Sequence, residues 1–219
     1  MAEIHKVAAH GDVVRLTSIL DGNAKLANTR KWLSRKTPLH FAVETGRKDA
    51  VALLLNKGAI ASATDARGDT PLHRLYRYVY VDRSGGYGTA DSQTIAAIVD
   101  LLVTHGANVD AANNAGATPL CMAALAGCRF TCGHLLSKGA SINGATKGCA
   151  TPLHSAVIRG FPDLAEFLLE KGADANARGT FGRFVNYTPL QMAYEMNKAH
   201  DAGKVYEQII NVLKQHGAK

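Results

Sequence analysis

Four cysteines, Cys121, Cys128, Cys132 and Cys149, fall in one short stretch of a 219-residue chain. Cys128 and Cys132 are four apart on an expected helix, with His134 close behind. Thiolates and an imidazole bind zinc, but this spacing matches no tetrahedral ligand set. Cys121 and Cys132 instead occupy positions suited to small buried side chains, and no metal is expected. The glycine-rich run Ser84-Gly85-Gly86-Tyr87-Gly88 lacks the Lys-Ser/Thr that completes a phosphate loop. There is no nucleophile elbow, no His-Glu-x-x-His pair and no acidic pair at a motif spacing. The sequence therefore predicts no catalytic residue and no cofactor, which leaves functions that consist of binding.

Aromatic side chains interleaved with cations occur in three places. The segment from Arg74 to Gly88 carries Tyr76, Arg77, Tyr78, Tyr80 and Tyr87. Tyrosine offers large contact area at low entropic cost and arginine pairs or stacks, so this segment is a candidate contact surface. The alternative is that Tyr76 and Tyr80, four apart, extend a helix and pack on a neighbour. Phe181, Arg183, Phe184 and Tyr187 form a second cluster, in which Phe184 or Tyr187 could instead fold back on the protein. The third holds the sole tryptophan, Trp32, among Arg30, Lys31, Arg35 and Lys36. Tryptophan and arginine are enriched at interface hot spots, although Trp32 could also pack on the segment before it.

Composition sets the frame. Apolar residues are 47% and charged residues 20%, as in globular proteins, and the net charge is +7. That charge is concentrated before residue 69, while 69–112 is net acidic. Such a balance suits an acidic partner. No apolar run reaches the roughly 18 residues that span a bilayer, so no membrane partner is expected. Met1-Ala2-Glu3-Ile4-His5-Lys6 lacks both the layout of a secretion signal and a glycine at position 2. The cytoplasm is the expected location, with the nucleus as an alternative, and the cysteines are expected to be reduced.

The elements that must position these residues are repeated. Thr37-Pro38-Leu39-His40 recurs as Thr70-Pro71-Leu72-His73, Thr118-Pro119-Leu120-Cys121, Thr151-Pro152-Leu153-His154 and Thr188-Pro189-Leu190-Gln191, at intervals of 33, 48, 33 and 37. Threonine caps a helix and proline suits the first helical position, where the amide has no partner. Leu39, Ala42 and Val43 then share one helical face, and Gly46 ends the helix. A second helix closes at Gly58, and matching ends recur at Gly106, Gly139 and Gly172. Polar turns such as Asp65-Ala66-Arg67-Gly68 link each closing glycine to the next Thr-Pro.

This pattern resembles the ankyrin repeat family. The resemblance covers residues 3–218 and implies an all-α solenoid of helix-turn-helix units joined by projecting β-hairpin-like fingers. It divides a single domain, 1–219, into repeats of approximately 2–35, 36–68, 69–116, 117–149, 150–186 and 187–219, the first and last acting as caps. Ser18 and Lys214 put polar groups on the terminal faces where inner repeats have leucine or valine. The motif histidines would tie helix starts to neighbouring loops. The third repeat has fifteen extra residues between its helices, with Asp91 or Ser92 as the cap of the second.

The family's usual contact surface would align Trp32, Arg67, Lys147 and Arg183 on one concave side, with Arg35 beside Trp32. The implied function is a monomeric, non-catalytic module that binds another protein, in an acidic or extended segment. Single-stranded nucleic acid is the alternative, since aromatics among cations also suit base stacking and phosphate contact. The family further implies possible hydroxylation of Asn176, in Gly172-Ala173-Asp174-Ala175-Asn176-Ala177, and less well of Asn143.

Overall fold

The computed structural model describes residues 3–80, 91–144, 149–199 and 203–219, with side chains except those of 77–80, 199 and 203. Two compact units divide it, Met1–Asn114 and Ala115–Lys219. The first contains α1 (Glu3–His10), α2 (Val13–Gly22), α3 (Pro38–Glu44), α4 (Lys48–Asn56), α5 (Pro71–Tyr80) and α6 (Ser92–Thr104). The second contains α7 (Pro119–Leu125), α8 (Arg129–Ser137), α9 (Pro152–Ile158), α10 (Pro162–Glu170), α11 (Pro189–Ala199) and α12 (Gly203–Gln215). Successive helices pack in pairs. In the first unit α3 also packs between α1 and α5, and α4 between α2 and α6; in the second, α9 lies between α7 and α11.

The Thr-Pro-Leu-His segments explain these helix starts. Thr37 is extended (φ −90°, ψ 166°) and Pro38 opens α3. The Thr37 amide donates to Nδ1 of His40 at 3.2 Å. That bond leaves the ring proton on Nε2, which donates to the Asp69 carbonyl at 3.0 Å. Each such histidine thus caps its own helix and clamps the following turn. His154 repeats the arrangement, accepting from Thr151 at 3.2 Å and donating to the Tyr187 carbonyl at 2.9 Å. His73 accepts from the Thr70 amide at 3.1 Å, and in the last copy Oε1 of Gln191 accepts from Thr188 at 3.0 Å. Burial outweighs these bonds in the proton balance and lowers the His40 pKa to about 4; burial lowers His154 as well.

The core of the first unit is Leu16, Leu20, Leu39, Leu54, Leu75, Ile98 and Leu102, all fully buried. That of the second is Leu120, Leu135, Leu153, Leu168 and Met192. Ser18 and Lys214 are exposed. Gly58 ends α4 in the left-handed region (φ 82°), which brings the Ala59 amide back to the Leu54 carbonyl at 2.9 Å.

The linking fingers are mostly turns. One forms a two-stranded antiparallel ladder, β1 (Gly179–Phe181) with β2 (Phe184–Tyr187), pairing Gly179 with Tyr187 and Phe181 with Phe184. A brace that the sequence does not advertise holds adjacent segments together. Asn28 donates to the Gly58 carbonyl at 2.8 Å and accepts from the Ile60 amide at 2.9 Å. Asn176 does the same for Gly217 and Lys219, at 3.1 and 2.8 Å. Oδ1 of Asn143 accepts from the Asp174 amide at 2.9 Å. Each carboxamide stands in for a short piece of backbone ladder between one finger and the next closing turn.

Candidate partner-binding surfaces

In the first unit, the 30–36 finger closes on itself through Lys31 N–H to the Lys36 carbonyl and Arg35 N–H to the Lys31 carbonyl, both 2.8 Å. Leu33 and Arg35 take left-handed backbone angles (φ 60° and 55°), and this turn lifts Trp32 and Leu33 out of the fold. They are 86% and 79% exposed. The Ala66 amide donates to the Ser34 carbonyl at 2.9 Å, and the Asn114 amide to the Arg67 carbonyl at 3.0 Å. Three successive fingers are thus laced edge to edge, with Arg35 and Arg67 exposed along them. Lys31 and Lys36 lie over the Phe41 ring, 5.5 and 5.4 Å from its centroid.

Arg74 departs from the sequence expectation. It is 4% exposed and cannot meet a partner. Its guanidinium bonds the Asp65 carboxylate, lies 3.1 Å from Asp69 and 3.6 Å from Glu44. Glu44 also takes Lys36 at 2.6 Å. Burial alone would raise the Asp65 pKa, but Arg74 and the Arg67 and Asp69 amides overcome it and hold the carboxyl below its usual range. Arg74 is held above its own usual value by its carboxylate neighbours, against desolvation. An unpaired charge at this depth is too costly to persist, so Arg74 is matched by Asp65 and Asp69, and Glu44 by Lys36.

The third repeat's expected contact segment is described only in part. Helix α5 continues through Tyr80, longer than α3, as the helix-extension reading requires. Tyr76 is half-buried. The side chains of Arg77, Tyr78 and Tyr80, and all of Tyr87 and Lys147, lie outside the described residues. Asp91 caps α6, accepting from the Gln93 and Thr94 amides at 3.1 Å.

In the second unit the β1–β2 finger divides its aromatics. Phe184 is 6% exposed and packs edge-on to Tyr187, with ring centroids 5.5 Å apart. It is a packing residue, not a contact residue, because it lies on the inward face of β2. Phe181 and Tyr187 are half-buried and Arg183 is exposed, its guanidinium over the Phe184 ring at 5.1 Å. Val185, on the outward face, is 66% exposed. Between this finger and α11 lies a cleft of about 600 Å3, lined in part by Val185, Tyr187, Tyr194, Arg178 and Lys198. Arg178 donates to the Asn186 carbonyl at 3.1 Å, and Lys198 pairs with Glu195 at 2.9 Å. The sequence reading missed Val185 and Tyr194. Their signal was available, as Val185 alternates with Phe184 on a strand and Tyr194 lies on the first helix of its repeat.

Cys121, Cys128 and Cys132 are packing residues, and Cys149 is half-buried. Cys128 and Cys132 are buried, and burial pushes the Cys128 thiol up to about 12 and Cys132 higher still. Cys121, in the histidine position, donates through Sγ to the Gly144 carbonyl at 3.2 Å.

The sequence model of the family described as ankyrin repeats matches in three copies, over residues 4–81 and 90–179. The chain belongs to the ankyrin repeat family. This ankyrin repeat protein superimposes on an ankyrin repeat domain from Acinetobacter baumannii with TM-score 0.72 and 25% identity, over 99% of this chain and 98% of that one. The human ASB11 ankyrin repeat domain shares the fold, with TM-score 0.73 and 23% identity, over 100% and 85%. Over 135 residues the chain is 35% identical to the transient receptor potential cation channel subfamily A member 1 homolog of Caenorhabditis elegans, 56% of this chain and 11% of that one. It is 37% identical over 71 residues to the E3 ubiquitin-protein ligase XBAT33 of Arabidopsis thaliana, 32% of this chain and 14% of that one. The ankyrin repeat chain thus spans a small fraction of these relatives' lengths. Ankyrin repeats are in general interaction modules without catalysis, and among the described residues no helix is long and apolar enough to cross a membrane.

Proposed function

We propose that this ankyrin repeat chain is a monomeric, non-catalytic module of the cytoplasm or nucleus that binds an extended, acidic segment of another protein. The observation that carries the reading is the cleft between the β1–β2 finger and α11. Val185 and Tyr194 expose apolar surface there, and Arg178 supplies a cation beside it, Lys198 being paired to Glu195 on the same wall. An extended chain would lay apolar side chains on Tyr187 and Tyr194 and acidic ones toward Arg178. Trp32, Arg35 and Arg67 are further contacts along the fingers of the first unit, and the Tyr76–Tyr87 segment is a third. Single-stranded nucleic acid has less support, because Phe184 is buried and Lys198 is paired to Glu195.

Selection from a random peptide library on the intact protein, followed by binding to Val185→Ser and Tyr194→Ala, tests the proposal. Acidic peptides that lose tenfold or more on both variants support it. Peptides that bind the variants equally, or a selection that enriches nothing, refute it. Hydroxylation of Asn176 belongs to the same reading of the family. Its carboxamide is braced to Gly217 and Lys219, so modification would require that turn to open.

A further inference from the structure

The tip of the 30–36 finger offers a different surface. Trp32 and Leu33 stand out of the fold, 86% and 79% exposed, where contact residues in a recess would be partly covered. They are not held there by lack of order. Hydrogen bonds of 2.8 Å close the turn on both sides, and Leu33 accepts a left-handed φ of 60° that leucine adopts only at a cost. Around the tip the charge has one sign. Residues 22–43 contain Lys25, Arg30, Lys31, Arg35 and Lys36 and no aspartate or glutamate. Of the carboxylates near this face, Glu44 pairs with Lys36 at 2.6 Å, while Asp65 and Asp69 are drawn inward by Arg74, leaving Arg67 exposed on the adjoining finger.

We propose that this finger is a peripheral docking point for an anionic lipid bilayer. Trp32 and Leu33 enter the headgroup layer, while Arg35 and Arg67 face lipid phosphates and carboxylates. An indole beside an aliphatic side chain suits the membrane–water boundary, and nearby cations add attraction to acidic lipids. Leu33 would contribute nothing to stacking on a nucleobase, and a protruding apolar pair fits a deformable surface without needing a shaped pocket. The expectation of no membrane partner rested on the absence of a spanning segment; surface attachment needs none. This proposal gives Trp32, Arg35 and Arg67 a lipid surface in place of the further protein contacts assigned to them above; the cleft of the second unit carries the protein-binding reading without them.

Trp32 is the only tryptophan, so its emission reports on the tip alone. The intact protein is titrated with phosphatidylcholine vesicles with and without about a third phosphatidylserine, and co-sedimentation is measured in parallel. A blue shift and pelleting with the anionic vesicles, both reversed by high salt, are expected. Trp32→Ala and Leu33→Gly should each weaken co-sedimentation about tenfold while melting like the wild type, since both side chains are exposed and glycine relaxes the turn. Absence of the shift, equal pelleting of both variants, or a shift induced by polyglutamate or oligothymidine but not by vesicles overturns the proposal.

Discussion

His40 makes the stability of the first unit depend on pH in a window that Asp65 does not share. Its ring accepts the Thr37 amide at Nδ1 and donates from Nε2 to the Asp69 carbonyl, so the folded state holds it neutral. Burial lowers its pKa from 6.5 to about 4. Between those values the unfolded chain takes up a proton that the folded chain refuses. The stabilisation is complete above 6.5 and is lost as pH falls toward 4. At 1.36 kcal/mol per unit, this one residue removes about 2 kcal/mol by about pH 5 and about 3 kcal/mol by pH 4. Asp65 is held below its usual range, so its contribution fails only in stronger acid. The test is urea unfolding of the wild type and His40→Gln across this range. Gln191 shows that glutamine can accept the corresponding amide, so the variant keeps the cap, loses the titrating ring and costs about 1 kcal/mol at neutral pH. The two stabilities should converge and then cross as pH falls. Parallel curves would refute the reasoning.

Three further outcomes follow from the packing. Arg74→Met should destabilise by about 3–5 kcal/mol, because it leaves Asp65 and Asp69 buried without their cation; denaturant unfolding of the variant and the wild type measures it. Asn28→Ala removes both bonds of the brace to Gly58 and Ile60 and should cost about 1–2 kcal/mol, read as an earlier thermal transition and faster amide exchange at Ile60. Gly179→Ala would place a methyl 2.8 Å from the Cys149 carbonyl and 2.9 Å from Ala150 Cα. Both atoms belong to one adjoining backbone segment, which cannot yield cheaply, so a loss of about 1–3 kcal/mol is expected in a calorimetric melt.

The fold was legible because each Thr-Pro-Leu-His announces a helix start through chemistry confined to four residues. The binding side chains were less so, and the reason differs between residues. Arg74 looks like part of an aromatic–cationic contact segment because its carboxylates come from Asp65, Asp69 and Glu44, in other segments; only the packed structure shows that they converge. Phe184 sits in a run of aromatics whose inward and outward members separate only once the strand's register is known. The braces of Asn28, Asn143 and Asn176 carry no local signature, since each side chain is satisfied about thirty to forty-three residues away.

The inward-turned carboxylates have a kinetic side. Asp65 and Asp69 bond to Arg74 rather than to the exposed finger cations, so Arg35 and Arg67 keep their guanidinium donors for an approaching anionic body. Long-range attraction of this kind sets how often encounters become productive, and salt weakens it. Arg74 touches nothing outside the protein, yet by engaging Asp65 and Asp69 it leaves that face cations to meet what it binds.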